Sequence, residues 1–93
     1  MPLAEPISDY VLTAHAIHEM TRRGLDEEII QEVLAKPEQR LSVRSGRDVL
    51  QSRRTMEGAT YLIRVFVDVD RSPAEVVTAY RTSKIDKYWR EGQ

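Results

Sequence analysis

The two histidines of the chain, His15 and His18, lie three positions apart, and Arg22 and Arg23 follow within eight residues of His15. Histidine is the side chain that changes charge near neutral pH without perturbation, so it can take or give a proton in a reaction. Arginine offers a fixed fork of donors suited to phosphate oxygens. A second group stands near the other end, at Thr78, Tyr80, Arg81 and Thr82. A tyrosine hydroxyl can donate to a departing oxygen, and a threonine can position a phosphate. A base, an acid and fixed cations are the parts that phosphodiester cleavage needs without a metal. Other readings fit the same residues. The first group can be an ordinary solvated face, His15 can be a core histidine bonded to backbone, and His15 with His18 and Glu19 can be considered as a metal site. The chain offers no further His and no Cys to complete such a site. Thr78 and Tyr80 can simply be good strand residues.

Local signals predict the elements that would hold these side chains. Thr13 is a candidate N-cap and Gly24 a candidate C′ residue, which brackets a helix from Ala14 to Arg23. Successive helix positions turn by about 100°. His15 and Arg22 then fall on one line, with Glu19 and His18 on either flank and Arg23 at the edge of that face. Ala16, Ile17 and Met20 point largely elsewhere. Asp26 caps a second helix to about Lys36, with Ile29, Ile30, Val33 and Leu34 as its apolar stripe, Glu27 and Glu28 in its first turn, and Pro37 at its end.

After Pro37 the apolar period becomes two. Strands are predicted over Leu41–Val43, Val49–Met56, Thr60–Val69 and Glu75–Tyr80, with turns at Ser45-Gly46, Glu57-Gly58 and Asp70–Pro73. The strand from Thr60 is the clearest and is expected to be central. Tyr61, Ile63, Val65, Val67 and Val69 share one of its faces; Leu62, Arg64, Phe66 and Asp68 share the other. By the same alternation Thr78 and Tyr80 share a face. Helices followed by strands in separate runs argue α+β. The expectation is two N-terminal helices followed by a four-stranded, antiparallel, curved sheet in one domain: residues 1–11 an arm or edge segment, 12–82 the core, 83–93 a tail. In that tail, Tyr88 and Trp89 lie among basic residues. They can dock on the core or stack on bases.

The totals set bounds. With 93 residues and 41% hydrophobic content, one core is feasible. The absence of Cys removes disulfides and thiolate chemistry and suits a cytoplasmic setting. No apolar run reaches the roughly 20 residues of a membrane helix, and the first ten residues do not read as a signal peptide. The net charge of −1 argues mildly against a dedicated nucleic-acid binder, but the distribution is uneven. Residues 26–38 are acidic. Arg40, Arg44, Arg47, Arg53 and Arg54 make one basic stretch, and Arg81, Lys84, Lys87 and Arg90 another. A mixed soluble surface explains this, and so does a basic face that meets an anion.

Thr13-x-His15-Ala16 followed by Met20-x-x-Arg23-Gly24-Leu25 resembles the opening of the small bacterial family called domain of unknown function 4258. Gly46-Arg47 resembles its next short match, and Val76 to Thr82 its closing strand. Glu19 departs from the pattern, standing where the family usually has an arginine; it can pair with Arg23 at i,i+4. That family is in turn similar to the barnase/colicin/RelE-like ribonuclease toxins. The resemblance implies a metal-independent ribonuclease without cofactor. It places His15, Arg23, Thr78 and Tyr80 in the active cleft, and the polar face of the first helix adds Arg22 and His18 to the candidate catalytic residues. Arg44, Arg47, Arg81, Thr82 and Lys84 are the candidate substrate-binding residues. The implied partners are RNA or the ribosome and an antitoxin or immunity-type protein, with no membrane. The alternative is a non-catalytic RNA- or protein-binding module on the same fold.

Overall fold

The computed structural model describes residues 3–91. Its elements run β1 (Tyr10–Leu12), α1 (Ala14–Arg22), α2 (Glu27–Ala35), β2 (Gln39–Arg44), β3 (Arg47–Met56), β4 (Ala59–Asp68), β5 (Ala74–Thr82) and α3 (Ile85–Tyr88). The five strands form one sheet in the order β1-β5-β4-β3-β2. Both longer helices start where a side chain can serve an early amide. The Thr13 hydroxyl accepts from the Ala16 N–H, and the Asp26 carboxylate accepts from the Ile29 N–H. Gly24, at φ +69°, closes α1 in a Schellman arrangement: its N–H donates to the Thr21 carbonyl and that of Leu25 to the Met20 carbonyl.

Ala16 and Met20 of α1, Leu25, and Ile29, Ile30, Val33 and Leu34 of α2 pack on one face of the sheet. There they meet Leu50, Ile63, Val65, Val67, Val76 and Ala79. Each aliphatic side chain buried in this way contributes about 1.5–3 kcal/mol, and this shared burial holds helices and sheet together. β4 is central, as its unbroken alternation predicts. One step on β5 breaks the period. Phe66 pairs with Thr78 but Val67 with Val76, so Val77 is an extra residue. This bulge lets Val76 and Ala79 both face the helices while Thr78 and Tyr80 face away. The turn at Glu57-Gly58, with φ of 54° and 79°, is a tight hairpin with both central residues left-handed.

Two expectations need correction. The sheet is five-stranded and mixed, not four-stranded and antiparallel. Tyr10–Leu12 of the N-terminal arm pairs in parallel with Ala74–Val76 at the sheet edge. Three residues carry no readable period, and their strand character comes from the partner. The tail likewise contains a third short helix, α3, with Tyr88 and the following residues set against the sheet face opposite α1 and α2. Residues Met1, Pro2, Gly92 and Gln93, the extremes of the expected arm and tail, lie outside the described residues.

Candidate functional site

The C-terminal end of α1 lies beside β5. Its Schellman turn leads the chain away through Gly24 and leaves Arg23 directed at the strand, where its Nη1 donates to the Ala79 carbonyl at 2.8 Å. Its Nη2 lies 2.8 Å from Glu19 Oε1, and Arg22 Nη2 donates to the same oxygen at 3.0 Å. The Glu19 carboxyl is held below its ordinary range, first by the Arg22 hydrogen bond and then by the charges of Arg22, Arg23 and His15. The internal pairing expected of Glu19 is therefore made, and with two arginines. Arg22, Arg23, Gly24, Tyr80 and Arg81 together line an open cleft.

Tyr80 joins that cleft to the sheet face turned away from α1 and α2. Its ring stacks with Phe66 at 5.9 Å, and its hydroxyl accepts from Arg64 Nη1 at 2.7 Å. Burial pushes the Tyr80 phenol above its usual value, against the pull of the Arg64 hydrogen bond. Tyr88 shifts the other way, chiefly through its hydrogen bond with Tyr80. Arg64 is the hub of this face. Its Nε donates to Gln51 Oε1 at 2.9 Å, and its guanidinium lies 4.2 Å from the Tyr88 ring centroid and 5.2 Å from that of Phe66. Among the described residues it has no carboxylate partner. Gln51, fully buried, donates in turn to Gln39 Oε1 and to the Tyr88 carbonyl. Gln39 donates to the Arg90 carbonyl and accepts from the Arg90 N–H. The two glutamines thus fasten the C-terminal segment onto the sheet.

The expected site residues are only partly brought together. Arg22, Arg23, Tyr80 and Arg81 share the cleft, although Arg81 also pairs with Glu57 at 3.2 Å. His15 and His18 are exposed on α1 and line neither the cleft nor the hollow beside Arg64. Thr78 faces outward on β5 opposite Phe66, on the same side as Tyr80. Arg47 is engaged by Asp68 through two hydrogen bonds, at 2.6 and 3.2 Å, near the far end of the sheet. Arg44 is exposed, and its Nη1 lies 3.5 Å from the neighbouring Ser45 carbonyl. The Thr82 hydroxyl accepts from the Lys84 N–H, so these two belong to the turn that leads into α3. Sequence reasoning passed over Arg64, Gln51 and Gln39. The one signal was Arg64 itself, a charge between the apolar Leu62 and Phe66 on one strand face.

The cleft offers two guanidinium groups at the C-terminal end of α1, a third on β5 and the side chain of Tyr80, whose hydroxyl is held by Arg64. Its cations suit a phosphate. Among the described residues, no three of His, Asp and Glu come together as a metal site, and His15, His18 and Glu19 form no such group. Among the same residues, no helix is long and apolar enough to cross a membrane.

No curated protein and no solved structure matches the chain. A family model does, over residues 12–81, which takes in the last residue of β1, all of α1 through β4 and nearly all of β5, and with them every residue of the cleft. The chain belongs to the family described as Domain of unknown function (DUF4258).

Proposed function

We propose that this protein binds RNA and cleaves it without a metal, the scissile phosphate lying in the cleft between α1 and β5. The observation that carries this reading is the meeting of Arg22, Arg23, Tyr80 and Arg81 around one open cleft. In the proposed reaction the 2′-oxygen of the RNA attacks the adjacent phosphorus and the bond from phosphorus to the 5′-oxygen breaks. The products are a 2′,3′-cyclic phosphate and a free 5′-hydroxyl. Tyr80, whose raised phenol carries its proton at neutral pH, supplies that proton to the 5′-oxygen, and the guanidinium of Arg64 stabilises the phenolate left behind. Arg22 and Arg23 neutralise charge gathering on the phosphoryl oxygens. His15 takes the proton of the 2′-hydroxyl; because that hydroxyl lies beside the attacked phosphorus and His15 does not line the cleft, this requires the His15 side chain to reach toward the scissile phosphate from its exposed place on α1. The reading brings with it RNA, free or on the ribosome, as substrate, an antitoxin or immunity-type protein able to cover the cleft, and a cytoplasmic place of action.

Single-turnover cleavage of a labelled RNA, with and without ribosomes and in the presence of EDTA, tests it. The wild-type chain is expected to cleave and to leave a cyclic phosphate. His15→Ala and Tyr80→Phe are each expected to slow the reaction by about 10²–10⁴, the usual worth of a positioned base or acid. A requirement for magnesium, or undiminished rates in both variants, would overturn the mechanism.

A second reading has its own support. Glu19 already occupies Arg22 and Arg23, and the histidines stand outside the cleft. Both facts favour a module that binds RNA or a protein without cutting. RNA that binds and stays intact under every condition would select it.

A further inference from the structure

We propose that the hollow beside Arg64, bounded by β2, β3, β4 and the C-terminal segment, takes up one nucleotide of a single-stranded RNA, base and phosphate together. The inference rests on the RNA reading above and adds a second contact point to it, at residues to which that reading gives no substrate contact. Leu41, Val43, Val49, Phe66 and Tyr88 give the hollow an apolar and aromatic lining. Arg64, Lys87 and Arg90 add cations, and no carboxylate of the described residues lines it. That combination is not a general property of the molecule. Arg40, Arg47, Arg53 and Arg54 each have a carboxylate on their guanidinium. Arg64 is half-buried and held by neutral groups alone, Gln51 Oε1 and the Tyr80 hydroxyl, and its second terminal nitrogen has no partner among the described residues.

Withdrawing a cation from water without a counter-charge is unfavourable, and an incoming anion relieves that cost while making charge-assisted hydrogen bonds. Phosphate alone would use only the cations. The Tyr88 and Phe66 rings and the aliphatic wall add a surface on which a base can stack, a contact open to any base because each presents a π-face. The link from Arg64 through the Tyr80 hydroxyl to the cleft places this hollow next to the proposed phosphate position, so adjacent nucleotides of one strand can occupy both.

The test is titration of the nitrogen-labelled full chain with the ribonucleoside 3′-monophosphates and, separately, with inorganic phosphate, followed by NMR. Nucleotides are expected to shift the amides of Leu41, Ser42, Val49, Phe66 and Tyr88 and to bind at least about ten-fold more tightly than phosphate, the added contribution of a stacked base. Arg64→Met is expected to weaken nucleotide binding by about ten-fold or more. Because Arg64 also supports Gln51, Val43→Glu serves as the second variant. Val43 is exposed, so the change sets a repelling charge at the rim without removing a buried contact. Equal affinity in Val43→Glu and wild type, or shifts confined to Arg22, Gly24 and Arg81, overturns the inference. The two proposals fail separately. Nucleotide binding here without cleavage of any RNA keeps the subsite and removes the nuclease. Cleavage with no response in this hollow does the reverse.

Discussion

Two arginine-bearing regions of this protein differ in how their charge is held. Along the flank where α2 meets β3, and on β2 and β3, four of the five arginines are matched by acids; the exposed Arg44 has none among the described residues. Arg53 pairs with Glu38, Arg54 with Glu32, Arg40 with Asp48 and Arg47 with Asp68. Of the basic run of 40–54, conspicuous in the sequence, Arg53 and Arg54 are neutralised by the acidic run of 26–38, and Arg40 and Arg47 by Asp48 and Asp68. At the centre of the sheet face turned away from α1 and α2, Arg64 has no acid among the described residues and is surrounded by Phe66, Tyr80 and Tyr88. A basic stretch in a sequence therefore marks little by itself, whereas a half-buried cation lacking a counter-charge marks where an anion is wanted.

The largest expected contrast in stability compares Arg64→Met with Arg54→Met. The first strips the fully buried Gln51 Oε1 of its donor, and an unsatisfied buried acceptor costs about 1–3 kcal/mol. The second opens a solvent-exposed pair and should change stability by less than about 1 kcal/mol. Urea unfolding of both variants measures the difference. Equal losses would show that the hub is no more embedded than the flank.

A second experiment separates the cleft from the Arg64 hollow. Gly24 lines the cleft at a left-handed φ, with nothing within 4 Å of where a Cβ would sit, so Gly24→Ala suffers only the conformational cost, about 1 kcal/mol. Thermal unfolding should show that loss, while nucleotide-induced shifts at Phe66 and Tyr88 persist. An unchanged melting midpoint would mean that the Schellman turn does not hold the end of α1.

The smallest effect concerns pH. The Arg47 hydrogen bonds hold the Asp68 carboxyl below its ordinary range in the folded state. The unfolded chain therefore binds a proton first on acidification. The stabilisation is complete above the usual aspartate value of about 4 and is lost as pH falls through the lowered folded value. Asp68→Asn should flatten the decline of stability over that acid range, measured by urea midpoints at successive pH values. A decline as steep as in wild type would show that the pair is not a source of acid sensitivity.

Much of the architecture was legible in the residues because it rests on local rules. Thr13 and Asp26 cap the helices through their own side chains, Gly24 ends α1 because a left-handed residue is needed there, and the alternation of Tyr61 to Val69 marks the strand face that meets the helices. The pairing of Glu19 with Arg23 followed from helical spacing alone. Other features depend on partners distant in sequence. β1 is a strand only because Ala74–Val76 offers it an edge, and the extra residue at Val77, which turns Thr78 and Tyr80 outward while Val76 stays inside, follows from pairing with β4. Arg64 is only one member of a strand face in the sequence; folding lays Gln51, Phe66, Tyr80 and Tyr88 around it. A side chain's type and period are written in its own stretch of sequence. Its counter-charge, or the lack of one, depends on which distant segments the fold packs beside it, and here that is what separates Arg64 from the arginines of the flank.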